Sequence, residues 1–263
     1  MTAPVPAPAS PEATDPMEHA SRLLVEMRYA EAEHACAAEL AHARADADWA
    51  RYSRILLPLQ EARRQRRMAA AEARVHFVPM GNIATPPIPG ITTGCVCMTT
   101  PEFDADSEAD AHAFATHHDR EGHHVQVLLA QPGAGAAAGA GGHWRVRSFG
   151  MDGAAEPFEA DVPAPPAAFL EAGHVDGDAA SIDAEERPMT AGHWFIAATE
   201  SLGDAGLATC RARVDPRDDG ARVTPADLDH AAAVLGAAGD HELLHQHLAA
   251  LAGRLAQQAA GTR

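Results

Sequence analysis

The stretch His241-Glu242-Leu243-Leu244-His245 sets two imidazoles four residues apart with a carboxylate between them. On a helix that spacing brings both rings to one face, where they can grip a metal ion while the glutamate polarises a bound water. A catalytic zinc needs a third protein ligand as well. The 18 residues after His245 contain no Asp, Glu or Cys, and His247, two positions on, faces another side of the helix. A third ligand would have to come from upstream, where Cys210, His230 and Asp240 are the nominees. Asp240 also reads as the cap of this helix, which puts His241 in its first turn.

The motif resembles that of the zincin metallopeptidases. The resemblance implies His241 and His245 as zinc ligands, Glu242 as general base and hydrolysis as the reaction. With Cys210 as the upstream ligand, the layout would be similar to that of the peptide deformylases, though their other signatures are missing. Because the chain carries 16 histidines, such a spacing also arises by chance. We therefore favour no metal and no cofactor, with zinc as the alternative. In the favoured reading His241 and His245 flank a leucine stripe half exposed, and Glu242 interacts with the helix dipole.

Other reactive groups are read as structural. Cys95 and Cys97 share one face of a strand, and packing accounts for them better than a metal or redox role. His117, His118, His123 and His124 surround the end of a helix, a conceivable weak metal patch with no role assigned. No phosphate-binding loop is present, there is no lysine to serve one, and no G-x-S-x-G turn occurs.

A net charge of -17 opposes a broad nucleic-acid or anionic-membrane surface. Arg63, Arg64, Arg66 and Arg67, with Arg51, Arg54 and Arg74, form the local exception. They read first as a solvated helix face, and second as the binding site of an anionic partner or of an acidic patch of this same protein. No apolar run approaches the ~20 residues of a membrane span, the N-terminus lacks the marks of a secretory signal, and four scattered cysteines do not make a disulfide framework. The cytoplasm is the expected location.

The elements that must position these groups give a mixed α/β chain. Residues 1–16 read as a disordered tail and 17–74 as helical, with Pro58 kinking the last helix or starting a new one. Residues 75–162 read as a small α/β domain: strands at Val75–Val78, Cys95–Met98 and His124–Leu129, and a helix after Ser107 and Asp110, which form a capping box. Strand, helix, strand predicts a βαβ unit. Trp144–Phe149 alternates like an edge strand, Phe158–Val162 adds another, and 133–142 is a flexible insertion. Residues 163–189 read as a linker. Residues 190–260 form helices that pack on the α/β body, opened by Thr190, Thr224-Pro225 and Asp240, the last with Leu244, Leu248, Leu251 and Leu255 as its buried stripe.

Arg28-Tyr29-Ala30-Glu31-Ala32, running on to Leu40, resembles the second helix of a tetratricopeptide repeat, with Met27 where that family usually has glycine. The similarity is confined to the 17–70 region and implies a helical hairpin suited to protein association. Hence the leading expectation is a non-catalytic cytoplasmic scaffold that binds a protein partner or a second copy through residues 17–74, with no nucleic acid and no membrane. The alternatives are a zinc-dependent hydrolase centred on His241, Glu242 and His245, and a small-ligand sensor on the α/β body near Thr99, Thr100 and Gln131.

Overall fold

Asp15 accepts a hydrogen bond from the Met17 amide (3.0 Å) and Pro16 follows it, so the first helix starts where both signals coincide. The computed structural model describes residues 15–80, 91–133, 142–149, 156–176, 180–181, 189–218 and 220–261. The expected N-terminal tail and the 133–142 insertion thus lie almost wholly outside the described residues. Helices α1 (Pro16–Val25), α2 (Tyr29–Ala45) and α3 (Trp49–Ala73) stack in sequence. Both turns between them use left-handed non-glycine residues, Met27 (φ 58°) and Ala47 (φ 53°). At the first, Arg28 N donates to Leu23 O and Met27 N to Leu24 O; at the second, Asp48 N donates to Ala43 O and Ala47 N to Arg44 O. That pair of bonds is the Schellman motif, which glycine usually closes.

Of the two expectations for Pro58, the new helix is not seen: α3 runs through it. It is flanked by buried Ile55, Leu56 and Leu59, and this packing holds the helix through the missing backbone donor. Helix α3 packs against the later helices and the sheet as well as against α2. One hydrophobic cluster runs from Ala20 and Cys36 through Ile55 and Leu59 to Leu251 and Leu255, so residues 17–74 share their core with the rest of the chain.

Strand β1 (Arg74–Pro79) begins where α3 ends, at an extended Arg74. β2 (Thr93–Thr99), α4 (Ala105–Arg120) and β3 (His124–Pro132) form the expected strand-helix-strand unit, with β2 parallel to both β1 and β3. The near-continuous apolar character of these strands follows from burial on both faces. Cys95, Cys97 and Leu128 belong to the main core, whereas Val96, Met98 and Leu129 belong to a second core with Ala111 and Phe114 of α4. The capping box of α4 is Asp104 with Ser107, a turn earlier than Ser107 with Asp110: Ser107 N donates to Asp104 Oδ1 (2.7 Å) and Asp104 N to Ser107 Oγ (3.1 Å).

β4 (His143–Arg147) and β5 (Glu159–Pro163) extend the sheet antiparallel, so β4 is interior and β5 forms the edge. The span read as a linker supplies α5 (Ala167–Ala172), anchored by buried Phe169, and β6 (His174–Asp176), which pairs with β1. Among the described residues the sheet order is β5-β4-β3-β2-β1-β6, and a separate pair joins β7 (Ala180–Ser181) to β8 (Met189–Thr190).

Three helices finish the fold. Thr190 caps α6 (Ala191–Arg213), Thr224 and Asp227 form the capping box of α7 (Pro225–Ala238), and α8 (Glu242–Gly261) buries all four expected leucines. Trp194 of α6 meets the rings of Phe77 and Trp144 at 5.5 and 5.9 Å and donates from Nε1 to Pro163 O (3.0 Å), which fixes α6 across the sheet. No helix among the described residues is long and apolar enough to cross a membrane.

Met27→Gly and Ala47→Gly each relieve a left-handed side chain that is exposed and adds no packing. Each should raise unfolding stability by about 0.5–1 kcal/mol in urea titration, with the gain partly offset by the freer unfolded chain.

Candidate functional site

The H-E-x-x-H residues are divided between the interior and the surface. His241 precedes the first residue of α8 and is buried, with Nε2 3.2 Å from Asp204 Oδ1 and 3.6 Å from Glu200 Oε2 of α6. His245 is also buried, correcting the half-exposed placement. Its Nδ1 meets the His241 carbonyl at 3.0 Å, and its Nε2 has no partner. Glu242 is exposed and accepts from Gln246 Nε2 (2.9 Å), away from both buried rings.

Two of the three nominated third ligands are committed elsewhere. Cys210 is buried in the main core, where burial pushes its thiol up to about 11. Asp240, expected as a helix cap, sits 3.0 Å from Arg67 Nε, and His230 is a half-buried residue of α7. Among the described residues no three His, Cys, Asp or Glu side chains gather as a metal-ligand set.

The remaining residues singled out in the sequence have local roles. All four cysteines are free and buried, and burial raises the thiols of Cys95 and Cys97. His118 Nδ1 and His123 Nδ1 are 2.9 Å apart beside Phe114, and burial, followed by His123 and His117, lowers the affinity of His118 for a proton. Thr100 Oγ1 donates to Glu102 O and Gln131 Nε2 to Pro101 O, both at 2.6 Å, which ties down the turn after β2.

For two arginines of α3 the second expectation holds, that of an acidic patch of this same protein. Arg66 and Arg67 are only 5% and 8% exposed, so they are no solvated face; the protein's own carboxylates receive them. Arg66 bonds Glu33 of α2, Asp119 of α4 (3.3 Å) and the His123 carbonyl (3.1 Å). Arg67 bonds Glu200 (2.6 Å) and Thr199 Oγ1 (3.3 Å), both of α6. Its Nε approaches Asp240, but the groups are misaligned and make no hydrogen bond. Burial favours the neutral acid at Asp240, with Arg67 opposing it. At Glu33 burial acts in the same sense, and Arg63 and Arg66 outweigh it to keep the carboxyl below its ordinary range.

Arg66, Arg67 and Arg147 line a cleft of about 160 Å³. Its walls are Val125–Leu128 of β3, Leu202 of α6, the end of α7 from Gly236 to Ala238, and Gly239 and Asp240 in the turn to α8. In all three arginines the Nε–H is buried and lacks an acceptor. Glu108 and Glu159 lie 3.3 and 3.5 Å from Arg147 Nε without forming a hydrogen bond. The Arg63–Arg67 run was the one signal of this cleft in the sequence; Arg147 and Thr199 carried none. No protein-family model, curated protein or solved structure matches the chain.

The α7–α8 turn reaches α6 because residue 203 is glycine. A Cβ there would fall 2.3 Å from Cγ of His241, whereas one at Gly236 would meet open space. Gly203→Ala should cost about 2–3 kcal/mol in urea denaturation, whereas Gly236→Ala, inside α7, should be neutral or stabilising.

Burial lowers His245 from 6.5 to about 4, so the unfolded chain takes up this proton first as pH falls. The stability that the neutral ring contributes is complete above pH 6.5 and is lost progressively toward pH 4. His245→Leu should remove on the order of 3 kcal/mol of that acid-side loss, read as the difference between the two proteins' stability–pH curves.

Proposed function

We propose that this chain is a non-catalytic binding protein that holds a small ligand in the cleft between α3, β3 and the α7–α8 turn. The observation that carries this reading is a cavity with an apolar wall beside three arginines whose Nε–H donors are buried and unanswered. Small-molecule sites combine apolar walls with a few placed polar groups in this way. The placement differs from the sensor site expected near Thr99, Thr100 and Gln131, which do not line this cleft.

Buried, proton-holding thiols and a solvent-facing Glu242 support a binding role over a catalytic one. Four free cysteines also support our assignment to the reducing cytoplasm. Association through residues 17–74 would use the outward faces of α1 and α2, since α3 is committed to the core.

A thermal-shift screen of a broad small-metabolite library should return at least one stabiliser. Ala115→Phe and Ala237→Phe, which fill the cleft from half-buried lining positions, should each abolish its effect. A stabiliser that acts equally on both variants would place its site elsewhere, and an empty screen would refute the proposal.

A further inference from the structure

Buried donors without acceptors define the missing partner. An N–H taken out of water and left unpaired costs roughly 1–3 kcal/mol, more when the group is charged. The cleft combines three such donors, on Arg66, Arg67 and Arg147. The terminal nitrogens of Arg66 and Arg67 are already engaged by Glu33, Asp119, Glu200 and Thr199. None of those groups bonds Nε, which is left without a partner in both. Asp119 and Asp240 are the two acidic residues that line the cleft; the first bonds Arg66, and the second lies against Arg67.

Apolar side chains also line the cleft, Leu128 and Leu202 on the main-core side of β3 and Val125 and Val127 on the α4 side. An inorganic anion would leave that surface bare, and a neutral apolar molecule would leave the donors unanswered. The volume of about 160 Å³ suits a body the size of one aromatic ring or a short alkyl chain.

We propose that the ligand of this cleft is a small organic carboxylate, its oxygens accepting from the arginine Nε–H groups and its hydrocarbon body lying on the β3–α6 wall. This inference rests on the cleft being the binding site. A carboxylate takes charge-assisted bonds from guanidinium groups, and displacement of the misaligned contacts at Arg67 and Arg147 supplies the geometry they lack.

Arginine Nε–H resonances report this directly. Titrating the full-length protein with benzoate should give saturable shifts of the Arg66, Arg67 and Arg147 Nε–H signals and of the Val125–Leu128 amides. Benzamide, with the same body and no charge, and inorganic phosphate, with charge and no body, should each bind at least about tenfold more weakly. Arg67→Gln should weaken benzoate about tenfold. Arg147→Gln, on a more exposed side chain, should do the same and keeps the test intact if the α3 variant does not fold. Benzamide matching benzoate would overturn the carboxylate class while leaving the cleft a ligand site, and phosphate outbinding benzoate would overturn the organic body. Unchanged Nε–H signals with benzoate would overturn the inference, and the cleft itself falls only if the metabolite screen is also empty.

Discussion

Two adjacent arginines on a buried helix constrain the rest of this molecule. A guanidinium removed from water without partners is destabilising by several kcal/mol. Their partners come from elements far apart in the chain: Glu33 of α2, Asp119 and the His123 carbonyl at the end of α4, Thr199 and Glu200 of α6, and Asp240 in the α7–α8 turn. Satisfying the pair requires all four regions to be in place together, so the network specifies a single arrangement of helices around α3. The apolar face of the same helix, from Trp49 through Leu59 to Ala71, supplies the burial that makes the arrangement favourable.

The cleft follows from the same geometry combined with strand length. β3 runs from His124 to Pro132, but β4 pairs with it only from Leu129 onward. Between Val125 and Leu128 the strand has β2 on one side and, among the described residues, no strand on the other. The arginines of α3, Leu202 of α6 and the α7–α8 turn border that gap without filling it. A ligand there would touch every region that the arginine network holds, so its binding would be coupled to the stability of the whole fold rather than to one loop.

The histidine motif shows how the same letters acquire a different role in context. His241 and His245 are drawn inward because α8 carries its leucine stripe against α3, and Gly203 leaves room on α6 for the His241 ring. Glu200 and Asp204, one turn apart on α6, then stand where a metal would otherwise be offered to His241 Nε2. Glu242 starts the helix on its solvent side. Spacing along a helix determines which residues can share a face; whether that face meets ligands, carboxylates or leucines depends on the neighbouring helix.

Local chemistry made much of the fold legible in the sequence. Thr190 and Thr224-Pro225 mark helix starts, and the apolar runs at 95–98 and 124–129 mark buried parallel strands, because each depends on backbone geometry within a few residues. The alternation that put Cys95 and Cys97 on one face was likewise readable, since side-chain direction in a strand has period two. The short strand β6 was not readable, because pairing with β1 overrides weak local preference, and at Pro58 the choice between one helix and two, left open by the sequence, fell to packing on α8. Beyond the arginine run of α3, the cleft was a tertiary outcome. Arg147 lies 80 positions or more from Arg66 and Arg67, Thr199 lies more than 130 positions from both, and only the closing of the core decides which charges are withdrawn from water and which donors remain unpaired.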